Sequence, residues 1–581
     1  MQSQTKGRNT LKQRTGCTAL LEQLAAEGTR YLFGNPGTVE EGFLDAMRDV
    51  PSIQYILGLQ ESVAVAMADG HARATRRPAF VQLHSCVGLG NGIGMLYQAK
   101  RGNSPLVVLA GEAGLAYDAM DAQMACDLVS MARPVTKWAT RVVDPGSVLR
   151  VLRRAIKIAS TPPMGPVFVA LPMDVLDAPN DESVFPTPRL DTRSAPEPEA
   201  VKALAHLLAE AEQPLLIVGD GVAASGAQEE LTRVAELLGA EVWGANSSEV
   251  NMDAAHPLFR GLLGHMFGKD SAAVVSRADA VLIAGTYVFP EVFPALSGVF
   301  RPGAKVAHVD LDAYEIAKNF PVDLGLVADP KRTLAALAEA LTWVMTPARR
   351  EAAEERLRSV REQREQERAR PSSAGTGSAG SGDAHTAMPS RFLGELAKRV
   401  GDEAIVFDEA LTLSPEVARA LPGRRPGHFF QTRGGSLGVG IPGALGVKLA
   451  HPDKTVIGFT GDGGSMYTIQ ALWTAARHDI GAKFVVCNNG GYRLLDLNIL
   501  EYWKERGIPE HPFPGSFDLA RPALHFVELA RSLGVPAVRV STEQDIGPAL
   551  DLALSASGPF LIDWVLPHAP LDPTADRRCG Q

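Results

Sequence analysis

Short apolar runs and longer amphipathic stretches alternate along most of the chain. Tyr31-Leu32-Phe33-Gly34, Ala79-Phe80-Val81-Gln82-Leu83, Leu215-Leu216-Ile217-Val218, Thr455-Val456-Ile457-Gly458-Phe459-Thr460 and Lys483-Phe484-Val485-Val486-Cys487 are each bounded by Gly, Asn, His or Asp. Such runs read as strands buried on both faces, with the intervening stretches as covering helices. The alternation holds from residue 16 to about 345 and again from about 388 to 570. It predicts an α/β protein built of doubly wound parallel sheets. A proline-rich break lies around Ala178 to Glu199, and Arg349 to Arg370 reads as a charge-dense helix followed by a Ser/Gly/Ala-rich flexible linker, Pro371 to Asp383. Three domains are expected, over 16–180, 195–345 and 388–570, with 1–15 as a disordered tail and 349–387 as the charged helix and linker. The first and third share a βα pattern that suggests related folds.

Composition narrows the partners. The chain has 581 residues, 45% of them hydrophobic and 21% charged, as in soluble globular proteins. A net charge of −9 argues against a general nucleic-acid or anionic-membrane binder. Five scattered cysteines without Cys-x-x-Cys spacing predict neither a disulfide framework nor a zinc site, which fits a reducing cytoplasm. No apolar stretch is long enough to span a bilayer, and the basic N-terminal residues lack the apolar core of a secretory signal.

The densest chemistry lies near the C-terminal end. Gly461-Asp462-Gly463-Gly464 follows one strand, Ser465 to His478 reads as a helix, and Asn488-Asn489-Gly490-Gly491 follows the next strand. In a right-handed βαβ unit the strand ends converge on one crevice. A carboxylate and an amide oxygen there are hard ligands of the kind Mg²⁺ takes when it bridges phosphates, and the glycines let backbone approach an anion. Gly219-Asp220-Gly221 is an internal control: it follows an equally good strand but has no paired asparagines downstream, and reads as a structural turn.

The first domain carries a second group. Asn35-Pro36-Gly37-Thr38 follows its first strand, and Thr38 with Glu41 has capping-box spacing. Glu61 opens an Ala-rich helix, where a carboxylate also suits the helix dipole. His84 ends a strand just before the Gly-rich run Gly88 to Gly94, where parallel-sheet proteins place ligands.

Together these segments resemble the thiamine-diphosphate-dependent 2-oxo-acid decarboxylase and acetolactate synthase family, nearest to its benzoylformate decarboxylase branch. The landmarks are Phe33-Gly34-Asn35-Pro36-Gly37, Leu59-Gln60-Glu61, Leu83-His84-Ser85, Arg260-Gly261-Leu262, Gly435-Ser436-Leu437-Gly438, Gly461-Asp462-Gly463 and Asn488-Asn489-Gly490, in the family's order. The resemblance implies pyrimidine-binding, central and diphosphate-binding domains. It also implies non-oxidative decarboxylation of a 2-oxo acid through a ylide and an enamine. The alternative is a carboligase of the acetolactate synthase type, in which an aldehyde or second 2-oxo acid captures the enamine.

Residue by residue, the resemblance makes Glu61 the partner of the cofactor's aminopyrimidine and His84 the proton-transfer group. Thr38 takes the place of a substrate-contacting serine. Leu437 props the two cofactor rings, and Asp462, Asn489 and the Gly491 carbonyl hold Mg²⁺. Asn35, Pro36, Gly37, Leu411, Thr412, Gly435, Gly463, Gly464 and Tyr492 complete the implied cofactor contacts. Glu61 and Asp462 would serve one site from two subunits, so a homodimer or homotetramer is implied. One departure stands out: the branch's second catalytic histidine should fall within Gly285–Val292, which holds no His, and Val292 takes its place. Flavin is not expected, because no Gly-x-Gly-x-x-Gly fingerprint opens the central domain.

Overall fold

The structure is a computed structural model describing residues 13–264, 266–369 and 384–566. It contains three six-stranded sheets, parallel in every strand pairing, with helices interleaved along the chain. The first comprises β1 (Tyr31–Gly34), β2 (Gln54–Leu57), β3 (Ala79–His84), β4 (Leu106–Glu112), β5 (Trp138–Arg141) and β6 (Val167–Pro172), in the order β2-β1-β3-β4-β6-β5. The second comprises β7 (Pro214–Val218), β8 (Glu241–Gly244), β9 (Phe259–Leu262), β10 (Ala280–Ala284), β11 (Lys305–Asp310) and β12 (Leu324–Val327), in the order β12-β11-β10-β7-β8-β9. The third comprises β13 (Ile405–Glu409), β14 (Phe429–Gln431), β15 (Val456–Gly461), β16 (Lys483–Asn488), β17 (Ala537–Val540) and β18 (Phe560–Val565), in the order β14-β13-β15-β16-β18-β17.

The first and third orders are the same when counted from each sheet's own first strand. In both, the order reverses between the first and third strands, and this switch point is where ligands bind in open α/β sheets. The loops after β1 and β3, and after β13 and β15, therefore hold the positions singled out in the sequence.

Central strands are buried along their whole length: β4, β6, β7, β10 and β13 expose no residue. Their helices cover them with one apolar stripe. In Val148–Ser160 the buried residues Val148, Leu149, Leu152, Ala155, Ile156 and Ala159 follow the i, i+3/i+4 spacing of one helical face.

The chain divides into two compact units. One holds residues 1–190 with short segments 434–436 and 445–450, and the other holds the remainder, including the second and third sheets. Within this second unit a bridge joins Glu249 to Phe430, and Gln431 N donates to Ser248 O at 2.7 Å.

The tail expected over 1–15 lies outside the described residues up to residue 12. Arg14 is already held by Asn180 and Glu182, and Thr15 bridges to Pro179. The charge-dense segment forms the helix Pro347–Ala369, and the linker expected over 371–383 lies outside the described residues.

Two local expectations are corrected. Ser465–His478 is not one helix: a four-residue turn of helix, Asp462–Ser465, is followed by i→i+3 turns through Met466–Gln470 and then the helix Ala471–Arg477. Asp462 is thus the first helical residue, and the glycines favour a tight start over continuous propagation. Thr38 is not a capping residue either. The chain enters its helix through a 3₁₀ turn, Thr38–Glu40, with Gly37 and then Glu40 in the cap positions and no side-chain cap at either.

Candidate active site

In the first unit, four of the marked residues come together. Glu61 is the first residue of the helix Glu61–Thr75 and is 6% exposed. Its Oε1 accepts from Asn35 Nδ2 at 3.1 Å and its Oε2 from Asn91 Nδ2 at 3.0 Å. Asn35 follows β1, and Asn91 lies in the helix Ser85–Arg101. Both carboxylate oxygens thus receive amide donors, which fix the orientation of the carboxylate.

His84 is the last residue of β3, and its Nδ1 lies 2.9 Å from Oε2 of Glu40. Glu40 is only 3% exposed. Burial raises the Glu40 carboxyl above its ordinary range, while His84 pulls it down. Gly37 lies directly against the imidazole, and a Cβ there would overlap the ring. A Cβ on Gly88 would sit 3.2 Å from Glu61 Oε1 and 3.4 Å from His84 Cβ, so the carboxylate and the imidazole border the same glycine. Pro36 and Thr38 are exposed at the rim.

In the second unit, Asp462 follows β15 and is 3% exposed. Its Oδ1 accepts from Gly463 N at 2.8 Å. Its Oδ2 accepts from Asn489 N at 3.1 Å, Gly490 N at 2.6 Å and Gly491 N at 3.2 Å. Asn489 Oδ1 in turn accepts from Gly491 N at 3.0 Å. Asp462 therefore ties the end of β15 to the loop after β16. Burial raises its carboxyl above the ordinary range, and these backbone donors oppose the rise.

Asp220 is the instructive contrast. It sits at the equivalent end of β7 and accepts from Ser248 N at 2.8 Å and Glu249 N at 3.1 Å. The guanidinium of Arg433 lies 3.4 Å from its Oδ2, supplying a cation. No ion pair to Asp462 is found among the described residues. A buried carboxylate with backbone donors, beside an amide oxygen and the Gly491 carbonyl, fits Mg²⁺ in donor type and charge. At the central sheet's own switch point, Gly221 N donates to Gly285 O at 2.9 Å, so backbone fills that crevice.

The remaining candidate cofactor residues lie in the segments that follow β13, β14, β15 and β16. Gly463 and Gly464 are buried, and Tyr492 packs against Gly463 so closely that a Cβ there would overlap its ring. Leu411, with φ +52°, and Thr412 begin the turn after β13, which packs on the helix Arg493–Arg506. Gly435 has φ +78° and is exposed, two residues before half-buried Leu437. Val292 is exposed in the segment where a histidine was sought.

Three functional candidates escaped the sequence reading. Glu40 and Asn91 are described above. The third, Glu409, is fully buried at the end of β13; its Oε1 accepts from Gly438 N at 2.5 Å and its Oε2 from Gly440 N at 2.6 Å. It therefore pins the backbone directly after Leu437. An acidic residue closing an otherwise apolar strand was the available signal.

Comparison with known proteins agrees with this layout. Three family models match in chain order: the N-terminal thiamine pyrophosphate binding domain of thiamine pyrophosphate enzymes over 14–131, their central domain over 201–337 and their C-terminal thiamine pyrophosphate binding domain over 412–564. Benzoylformate decarboxylase of Pseudomonas aeruginosa is 32% identical over 561 residues, covering 96% of this chain and 99% of its own length. The large subunit of acetolactate synthase isozyme 3 of Escherichia coli is 29% identical over 552 residues, covering 93% and 92%. Among solved structures, a thiamine diphosphate-dependent 4-hydroxybenzoylformate decarboxylase of Rhodococcus jostii RHA1 has a TM-score of 0.80 at 29% identity, covering 96% of this chain and 100% of that one.

Proposed function

The chain belongs to the thiamine pyrophosphate enzyme family, and on that premise we propose that it is a lyase, dependent on thiamine diphosphate and Mg²⁺, that removes CO₂ non-oxidatively from a 2-oxo acid and releases an aldehyde. The observation carrying the lyase reading is the His84–Glu40 pair, an imidazole held by a buried carboxylate at a switch point. Such a pair suits proton transfer to and from a substrate.

When bound, thiamine diphosphate would supply a carbon nucleophile and an electron sink for the loss of CO₂. Glu61 would hydrogen-bond the aminopyrimidine, with Asn35 and Asn91 fixing the orientation of its carboxylate. His84 moves the proton that the departing aldehyde requires. Thr38 contacts substrate from the rim. Asp462, Asn489 and the Gly491 carbonyl hold Mg²⁺, while Gly463 and Gly464 let backbone approach the diphosphate. Leu437 supplies the apolar prop between the cofactor rings, with Leu411, Thr412, Gly435 and Tyr492 completing the surface. The working unit is a homodimer or homotetramer.

The second reading is a carboligase, and one observation favours it: Gly285–Val292 contains no histidine and presents exposed Val292 instead. Slower protonation would leave time for a second carbonyl to react. Product analysis separates the two. The purified chain with thiamine diphosphate and Mg²⁺ is given pyruvate, benzoylformate and branched 2-oxo acids, with and without an aldehyde acceptor. Free aldehyde identifies the lyase, and a 2-hydroxy ketone or acetohydroxy acid identifies the ligase. A visible absorption spectrum of the same preparation tests for bound flavin.

A further inference from the structure

Behind His84, Glu40 and Gln82 are buried, 3% and 2% exposed. Both border a small cavity of ≈ 10 Å³ whose free surface is apolar, walled by Phe43, Leu109 and Leu171. The Glu40 carboxyl therefore sits against an apolar wall, with the backbone N–H groups of Gly111 and Gly37 and the His84 ring opposing the effect of its burial.

The orientation of the two side chains is set by their other contacts. Tyr55 donates its hydroxyl to Gln82 Oε1. Burial raises the Tyr55 phenol, so it stays neutral and remains a donor. Glu40 uses Oε2 for His84 Nδ1. Gly111 makes the arrangement possible, since a Cβ there would overlap Glu40 Oε1. The titratable groups facing the pair are Tyr55 from β2 and Glu61 from the first turn of its helix.

We propose that Glu40 is the positioning residue of His84, fixing the tautomer with its proton on Nδ1 and leaving Nε2 as the working nitrogen. The inference rests on the reading of His84 as the proton-transfer group. Glu40 touches neither substrate nor cofactor; it acts by orienting the ring. Loss of such a partner typically costs about 10–100-fold.

The test compares Glu40→Gln, Glu40→Asp and His84→Ala in the cofactor-loaded enzyme. Measured are kcat and KM, and thiamine diphosphate affinity by quenching of tryptophan fluorescence. In Glu40→Gln, kcat falls about 10–100-fold with KM and cofactor affinity within about twofold. Glu40→Asp restores kcat in part. Unchanged kcat in Glu40→Gln, or a loss of cofactor affinity as large as the loss of kcat, overturns the proposal, while retained activity in His84→Ala instead overturns the role given to His84.

Discussion

Gly37 shows how much of this site is decided by a missing methyl group. Its backbone is extended, with φ −149°, so any residue could adopt it. What only glycine allows is the His84 ring against its α-carbon. Gly37→Ala should therefore leave stability within about 1 kcal/mol by urea unfolding, because the loop can give way at the surface. It should lower kcat at least about tenfold, because the ring is pushed off Glu40. Glu61→Gln should act differently. It keeps the shape but loses the carboxylate to which proton exchange with the cofactor is assigned in the proposed function, so turnover should drop by about 10²–10⁴-fold while thiamine diphosphate affinity changes only a few-fold. Glu61, His84, Asp462 and Asn489 were legible because each ends or follows a strong apolar run. Glu40 was not: Thr38-Val39-Glu40-Glu41 reads as a polar surface turn, and only the 3₁₀ entry to the helix rotates Glu40 inward.

At the scale of elements, the ends of strands hold loops by buried carboxylates. Asp462 gathers four backbone N–H groups, and Glu409 gathers two together with the Thr460 hydroxyl at 3.2 Å. Burial pushes Glu409 up to about 7 from an ordinary value of 4.5. The native state therefore binds a proton at this residue that the unfolded chain has already released between those two values. The Glu409 contribution to stability is complete below about 4.5 and is lost as pH rises through about 7. Glu409→Gln should flatten the fall in melting temperature between pH 5 and 8, measured against the parent chain, since other buried carboxyls titrate in both. It should also weaken thiamine diphosphate binding, because an amide cannot accept from both Gly438 and Gly440 as a carboxylate does. Asp462→Asn should raise the Mg²⁺ concentration needed for half-maximal activity by about 10–100-fold, read by metal titration. The strands themselves were legible from periodicity. The break at Met466–Gln470 was not, because Ser465–His478 has helical composition and the i→i+3 turns depend on tertiary contacts, among them the Thr468 hydroxyl bonded to Gly438 O at 2.6 Å.

At the scale of the whole molecule, the matching strand orders of the first and third sheets divide the labour. One switch point presents Glu61, His84 and Glu40; the other presents Asp462, Asn489 and the loop behind Leu437. The likeness was visible in the sequence only as a shared βα rhythm, since two sheets can follow one topology without sharing residues. Under the proposed function neither group would suffice alone, since the diphosphate and metal contacts are assigned to one and the proton-transfer pair to the other. If each working site takes Glu61 from one copy and Asp462 from another, inactive variants should complement. At the Mg²⁺ concentration that half-saturates the parent, Glu61→Gln and Asp462→Asn chains are each expected to keep only a small fraction of its activity. A heterodimer of the two carries one site with both defects and one site with neither. Random reassociation of an equal mixture after mild dissociation makes half the dimers mixed, so activity should return to about a quarter of the parent level. If both groups of one site came from the same chain, every site in every dimer would keep its defect. Activity would then stay at the level of the separate variants, and the shared-site assembly would be ruled out.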